Sequence, residues 1–127
     1  MTETMKHFSE LETWQVGHRV VLATYRVSEG FPKKELFGLV SQMNRAAVSV
    51  TSNIAEGFGR RSYKDKARFY DIAKGSLLEL ENQLIVALDL GYLPRPSFDE
   101  LILEIKSVHR LLNSLLKKTE MHHFATS

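Results

Sequence analysis

The sequence contains no cysteine, only three prolines and one tryptophan, and no long apolar run. Without cysteine, disulfide bonds and thiolate metal sites are excluded. No stretch approaches the roughly 18 apolar residues of a transmembrane helix, and the first residues lack the apolar core of a signal peptide, so we expect a cytoplasmic protein. The length of 127 residues and the 43% hydrophobic content suit a single domain over residues 1–127 with one core.

Common catalytic motifs are also missing from the sequence. There is no GxSxG, phosphate-binding P-loop, HExxH or GxGxxG pattern. Di-iron bundles require a histidine three residues after a ligand glutamate. None of the candidate glutamates, Glu56, Glu79 and Glu81, has one. The histidines lack the spacing of a metal site; they are His7, His18, His109, His122 and His123. We therefore expect a protein that is not an enzyme, with no catalytic residue, no metal and no cofactor.

Four helix signals and no convincing strand signal follow one another along the chain. Capping patterns predict three helix starts, at Ser9–Glu12, Ser62–Asp65 and Ser97–Glu100. Glycine followed by proline predicts two helix ends, at Gly30–Pro32 and Gly91–Pro94. The predicted helices span about 11–28, 36–58, 62–90 and 97–118, with a frayed tail over 119–127. Short connections make neighbouring helices antiparallel, so the predicted fold is all-α, an antiparallel up-down-up-down four-helix bundle.

Two glycines lie inside predicted helices and need a reason for being there. Gly17 and Gly75 each cost about 1 kcal/mol relative to alanine in a helix interior. Close approach of another helix is the compensation that we expect, either within one subunit or between subunits.

The segment Arg45–Arg61 is the most distinctive part of the chain, because it reads as a helix followed by a glycine break and a basic cluster. It belongs to a wider pattern of short motifs: Trp14–His18, Phe31–Lys33, Phe37–Gln42, Arg45–Ser49, Ser52–Gly57 and Gly75–Glu81. From Trp14 to about Leu93 this pattern resembles the four-helix bundle proteins encoded by intervening sequences of bacterial large-subunit ribosomal RNA. The same fold includes the accessory variability determinants of diversity-generating retroelements.

The resemblance implies more than the fold. Family members form cyclic homo-oligomers, which are pentamers among the retroelement accessory proteins, and their genomic setting favours nucleic acid as a partner. Thr51 stands where the family usually has proline, so we expect a straighter second helix here. His18 matches a family position beside Trp14 and is interpreted as an interface histidine.

Polar residues form one stripe on each of the two central helices. The stripes consist of Ser49, Asn53 and Glu56 on the second helix and Ser76, Glu79 and Gln83 on the third. We expect them to meet in a packed polar seam, with the glutamates bonded to serine, asparagine or arginine, because buried carboxylates need partners. A structural layer or a subunit contact is the favoured interpretation, and a catalytic carboxylate pair is the alternative.

Basic residues cluster where the third helix is predicted to begin: Arg60, Arg61, Lys64, Lys66 and Arg68. Four cations elsewhere are expected to add to this field: Arg45, Arg26, Lys33 and Lys34. The nearby aromatics are Phe58, Tyr63 and Tyr70. Cations beside aromatics suit phosphate contact and base stacking, so the predicted nucleic-acid-binding residues are Arg60, Arg61, Lys64, Arg68 and Arg45. A solvated charged surface is the alternative, although cations near a helix N-terminus oppose its macrodipole.

Two main functions remain open at this stage. The first is a non-catalytic oligomeric scaffold that binds nucleic acid, with RNA favoured and single-stranded nucleic acid included. A pentamer of chains at +2 would carry 5 × 2 = +10, enough to attract a polyanion. The second is a structural adaptor that recruits a protein partner and has no nucleic-acid role. An enzyme that uses Glu56 and Glu79 is a weaker third possibility.

Overall fold

The computed structural model describes residues 5–126, and these form an all-helical bundle without a strand. The helices are α1 (Glu12–Ser28), α2 (Leu39–Gly59), α3 (Tyr63–Asp89) and α4 (Arg95–Thr126). Short 3-10 turns precede the first two, at Phe8–Glu10 and Lys33–Glu35. α2 packs on α1 and α3, and α4 packs on the same two helices, so each helix touches two neighbours around a ring. The predicted four-helix bundle is confirmed.

The core consists of one buried stripe from each helix. In α4 the stripe is Leu101, Ile105, Val108 and Leu112, spaced by four, three and four residues as bundle packing requires. The largest fully buried side chain is Tyr70 of α3. Burial raises the pKa of its phenol to about 12, because an ionised phenolate would lie in an apolar surrounding.

The glycines differ in what surrounds them. A Cβ on Gly17 would lie 3.2 Å from Thr51 Cγ2, so the expected close approach of α1 and α2 is present. Gly75 is exposed and has no such neighbour within 4 Å, so the expectation was wrong within one subunit. A contact of Gly75 between subunits stays a prediction. Gly57 lies in the last turn of α2, within the helix predicted over 36–58, and is buried there with Tyr70 packed directly against it.

Only one of the three predicted caps forms. Ser62 Oγ accepts a hydrogen bond from the Asp65 amide at 3.1 Å and begins α3. The Ser9 cap was wrong, because His7 caps the preceding 3-10 turn and leaves Leu11 at the N-cap of α1 without a side-chain bond. Ser97 lies inside α4, which already begins at Arg95.

The last helix continues past its predicted end at Lys118 as far as Thr126, so the tail expected to fray is helical up to that residue. The reason is a contact with another helix. Tyr63 of α3 donates to Glu120 Oε2 at 3.1 Å and stacks on His123 with 5.1 Å between ring centroids. Ser127 lies outside the described residues.

Candidate nucleic-acid interface

The antiparallel arrangement brings four helix ends together at one end of the bundle: the starts of α1 and α3 and the ends of α2 and α4. We call this the basic end, defined by Arg60, Arg61, Lys64, Lys66 and Arg68. These residues follow one another across the short α2–α3 connection, so the predicted cluster is one local surface. Its members nevertheless have different surroundings, which decide what each can bind.

Arg60 and Arg68 flank one aromatic ring. Their Cζ atoms lie 4.6 and 4.5 Å from the ring centroid of Phe69, within cation–π distance. Arg60 also forms an exposed ion pair with Glu56, with 3.0 Å between Nη2 and Oε2. A cation–π contact leaves the guanidinium charged, so both arginines keep donors for a phosphate, but Glu56 offsets part of the charge of Arg60. The sequence interpretation missed Phe69, although it directly follows Arg68.

Arg61 and Lys64 are exposed, and no described carboxylate lies within 4.0 Å of either side chain. Both line an open cleft of about 570 Å³ that also involves the end of α4. Their charges are therefore the ones most available to an anionic ligand at the basic end.

Lys66 has a structural role instead. Its Nζ donates to the backbone carbonyls of Phe58 and Gly57, at 2.8 and 3.2 Å. These are among the last carbonyls of α2, which have no partner inside the helix, and a cation there complements the helix dipole. Burial lowers the pKa of the Lys66 ammonium. Lys66 thus joins the end of α2 to the start of α3 and is not an open phosphate contact.

Arg45 lies apart from the basic end. It is exposed on α2, 15 residues before Arg60, which corresponds to about 22 Å along the helix. Arg26, Lys33 and Lys34 lie near the α1–α2 connection, at the opposite end of the bundle. The predicted addition of these four cations to the same field was therefore wrong for a single chain.

A row of rings that the sequence interpretation did not assemble lies beside the basic end. The centroids of His7 and Phe8, Phe8 and Trp14, and Trp14 and His18 are separated by 4.2, 5.3 and 4.7 Å. The stacking of His18 on Trp14 matches their expected proximity. Phe8 shares a surface pocket with Arg60, so the row adjoins the basic residues. Phe8 and Trp14 are half-buried, whereas His7 and His18 at the two ends of the row are exposed. Rings next to cations are typical of surfaces that bind unpaired bases.

The centre of the predicted polar seam forms between α2 and α3. The hydroxyls of Ser49 and Ser76 lie 2.8 Å apart. Asn53 Nδ2 donates to the backbone oxygen of Ser49 at 2.8 Å and to its hydroxyl at 3.1 Å. All three side chains are half-buried, so they act as a small hydrogen-bonded layer that helps to set the register of the two helices.

The glutamates of the two stripes do not enter this layer as expected. Glu56 is exposed and pairs with Arg60, whereas Glu79 is exposed and accepts a long 3.4 Å hydrogen bond from Gln83. Counted from the Ser49–Ser76 contact, Glu56 lies seven residues toward the basic end and Glu79 three residues away from it. The helical rise then separates them by about 15 Å, too far for a carboxylate pair to act on one atom. Gln83 is buried, and its Oε1 has no partner among the described residues.

The described residues contain neither a candidate metal site nor a candidate membrane span. Within residues 5–126 no group of three or more histidine, aspartate or glutamate side chains is placed to hold a metal ion. Across the same residues, no helix combines the length and the apolarity that crossing a bilayer requires.

Comparison with known proteins gives a family. The model of the family described as 23S rRNA-intervening sequence protein matches residues 9–114. The chain belongs to this family. A solved relative is a protein of unknown function from the S23 ribosomal protein family of Bacteroides thetaiotaomicron VPI-5482. The two chains share 19% identity and superpose with a TM-score of 0.76 over 83% of this chain and 95% of the other, which shows a common fold. Comparison with curated proteins gives no match.

The match divides this 23S rRNA-intervening sequence protein into a shared part and an extension. Arg60, Arg61, Lys64 and Arg68 lie inside the matched range. The last turns of α4, with Glu120 and the histidine that stacks on Tyr63, lie beyond residue 114. One wall of the cleft at the basic end therefore comes from outside the matched range.

Proposed function

We propose that this protein is a non-catalytic, homo-oligomeric scaffold that binds RNA through the basic end of its bundle. Arg60, Arg61, Lys64 and Arg68 contact phosphates. The observation that carries the proposal is the state of Arg61 and Lys64, which are exposed beside further cations and have no carboxylate partner among the described residues. Lys64 lies in the first turn of α3, where a cation opposes the helix dipole, so stability does not explain its position, whereas phosphate binding does.

The family supplies the direction toward RNA. Its description refers to the intervening sequences of 23S ribosomal RNA, so ribosomal RNA is the natural first ligand to test. The row of rings beside Arg60 favours RNA with unpaired bases, since bases inside a duplex do not offer their faces for stacking. A cytoplasmic location is part of the same proposal.

Assembly of several copies is the second element of the proposal. The outer side of α3 exposes five large apolar side chains, each at least 40% accessible: Ile72, Leu78, Ile85, Val86 and Leu90. Several exposed apolar side chains on one side of a helix mark a contact with another molecule, and a second copy is always available as that molecule. We propose a pentamer on the strength of the family resemblance. Five chains would present 5 × 2 = +10 to the RNA.

An adaptor for a different protein is the second candidate function. The same apolar side of α3 favours it, because the surface suits a foreign helix as well as a copy of this chain. In that case the basic end is a solvated surface and contributes nothing to binding. The two functions differ in what happens when the basic end loses its charge.

The test is the binding of labelled structured RNA across a salt series, with two matched variants. Arg61→Glu/Lys64→Glu reverses two charges at the basic end, and Lys33→Glu/Lys34→Glu reverses two at the opposite end. Each double variant takes the net charge from +2 to 2 − 4 = −2, so bulk charge is controlled. Arg60 is left in place because Glu56 and Phe69 already engage it.

Four phosphate contacts predict that the logarithm of the affinity falls by about 3 for each tenfold rise in salt, or about 50-fold between 50 and 200 mM. We expect the basic-end variant to lose most RNA binding and the control variant to keep it. If the two variants lose RNA affinity equally, net charge and not the basic end determines the affinity. RNA binding that persists in the basic-end variant would contradict the proposed interface and favour the adaptor function.

A further inference from the structure

The cleft at the basic end has a wall on each of two helices. The α2–α3 connection contributes Arg61, the start of α3 contributes Tyr63, Lys64 and Lys66, and the end of α4 contributes His122 and His123. Its volume of about 570 Å³ lies in the range of small-molecule sites. None of the described residues that line it is aspartate or glutamate.

The contact between the two walls makes the cleft a built feature. Tyr63 donates to Glu120 at 3.1 Å and stacks on His123, so α3 holds the end of α4 in place. The Glu120 carboxylate raises the pKa of the Tyr63 phenol, which therefore keeps its proton as the hydrogen-bond donor. Glu120 is thus engaged by Tyr63 and does not line the cleft.

The cations of the cleft have two roles: Lys66 supports the cleft, whereas Arg61 and Lys64 are available to a ligand. Lys66 is held by the last carbonyls of α2, so it forms a fixed part of the cleft. Arg61 and Lys64 offer guanidinium and ammonium donors with no described carboxylate within 4.0 Å. His122 and His123 line the opposite wall.

We infer that this cleft binds a phosphate monoester, carried by the end of an RNA strand or by a free nucleotide. A monoester holds a charge of about −1.5 to −2 at neutral pH and has three terminal oxygens, whereas an internal phosphodiester holds one charge. Converging cations therefore favour the monoester, and arginine binds its oxygens in a bidentate manner. Because the α4 wall lies beyond residue 114, the site is not confined to the part of the chain that the family model matches.

The inference deepens the proposed function and rests on it, so the two need separate readouts. One oligoribonucleotide is prepared with a 5′-phosphate, with a 3′-phosphate and with hydroxyls at both ends, and fluorescence anisotropy measures the affinity of each. We expect one phosphorylated form to bind about tenfold more tightly than the hydroxyl form, as a charge-assisted contact provides. Equal affinities of all three would overturn the binding of a strand end and leave the proposed function standing.

Variants localise the effect. His122→Asn/His123→Asn should remove the preference for the phosphorylated end and keep the affinity for the hydroxyl form, which Arg60, Arg61 and Lys64 still bind. Lys117→Gln/Lys118→Gln is the matched control, because it changes two exposed residues of α4 outside the cleft and should keep the preference. A preference that survives the histidine variant, or that the control also loses, would place the monoester elsewhere and overturn the inference.

Titration of adenosine monophosphate and of adenosine into labelled wild-type protein, followed by NMR, needs no variant. Saturable shifts at the amides of Tyr63 and His123 with the monophosphate, and none with adenosine, would support the inference. A monophosphate that binds as tightly as the phosphorylated oligonucleotide would identify a free nucleotide as the source, and a much weaker one would identify a strand end. If no RNA binds but these shifts appear, the proposed function fails and the site stands; if the shifts are absent, the site fails.

Discussion

Gly57 and Tyr70 offer the sharpest test of how α2 and α3 pack. A Cβ added to Gly57 would lie 2.5 Å from Tyr70 Cε1 and 2.8 Å from Cδ1, closer than Cβ atoms come to other heavy atoms. Tyr70 is 2% exposed and sits at the core, so its ring has no open space to move into. The substitution Gly57→Ala must therefore separate the two helices or displace the ring.

The size of the effect follows from two opposing terms. Alanine gains about 1 kcal/mol over glycine in a helix, and forcing a methyl group into a packed core costs about 1–3 kcal/mol. Gly75→Ala isolates the first term, because Gly75 is exposed in the middle of α3 and nothing lies within 4 Å of its added Cβ. We expect Gly75→Ala to stabilise the protein by up to about 1 kcal/mol and Gly57→Ala to destabilise it by up to about 2 kcal/mol.

Urea unfolding followed by far-ultraviolet circular dichroism measures both changes in the free energy of unfolding. The difference between the two variants cancels most of the helix propensity and gives the packing cost of the α2–α3 contact. If Gly57→Ala stabilises the protein as much as Gly75→Ala, the close contact with Tyr70 does not exist in solution. The measurement is repeated at two protein concentrations, because a Gly75 that lies between subunits would make its effect depend on concentration.

Three further predictions concern Lys66, the pKa of Tyr70 and the apolar outer side of α3. Lys66→Met removes two hydrogen bonds to the end of α2 and should cost about 1–3 kcal/mol in urea unfolding, whereas Lys64→Met at an exposed position should cost little; equal costs would contradict the support role of Lys66. The pKa of Tyr70, about 12 when folded against 10.0 for an ordinary tyrosine, means that the unfolded chain loses its proton first. The free energy of unfolding should then fall by about 2–3 kcal/mol as the pH rises from about 10 to 12. Urea unfolding of Tyr70→Phe at the same pH values should lack this part of the loss. Leu78→Glu/Ile85→Glu should yield monomers in light scattering at micromolar concentration, with the circular dichroism spectrum unchanged; a wild-type protein that is already monomeric would refute the assembly.

The helices were predictable from the sequence because hydrophobic periodicity is a local signal. Their ends were less so, since ends depend on contacts between helices. The end of α4 shows why: Tyr63, more than fifty residues earlier, holds Glu120 and His123, and no property of the tail itself announces that contact. Ser62 capped as predicted because a capping bond spans only three residues.

The candidate site divides in the same way. Adjacent basic residues were bound to share a surface, so the positions of Arg60 and Arg61 followed from the sequence. The role of Lys66 did not, because it depends on where the Gly57 and Phe58 carbonyls lie at the end of α2. Arg45 was misplaced although its distance followed from the predicted helix, since 15 residues of helix before Arg60 span about 22 Å. The two polar stripes meet as predicted only at their centre, Ser49 and Ser76, whereas Glu56 and Glu79 lie outside that layer.

The proposed RNA-binding surface and the proposed assembly surface both include parts of α3, and we expect salt to affect them in opposite directions. The start of α3 belongs to the basic end, and the second half of the helix carries most of the exposed apolar residues, so in the proposed cyclic pentamer, whose copies lie side by side in parallel, the basic ends face the same side of the ring. Their repulsion opposes assembly until salt or RNA screens it, whereas apolar contacts do not weaken as salt rises. Added salt should therefore strengthen assembly without RNA while it weakens RNA binding, and RNA at low salt should itself promote assembly. Oligomers that dissociate as salt rises would show ionic contacts between the copies and would exclude the apolar side of α3 as the interface.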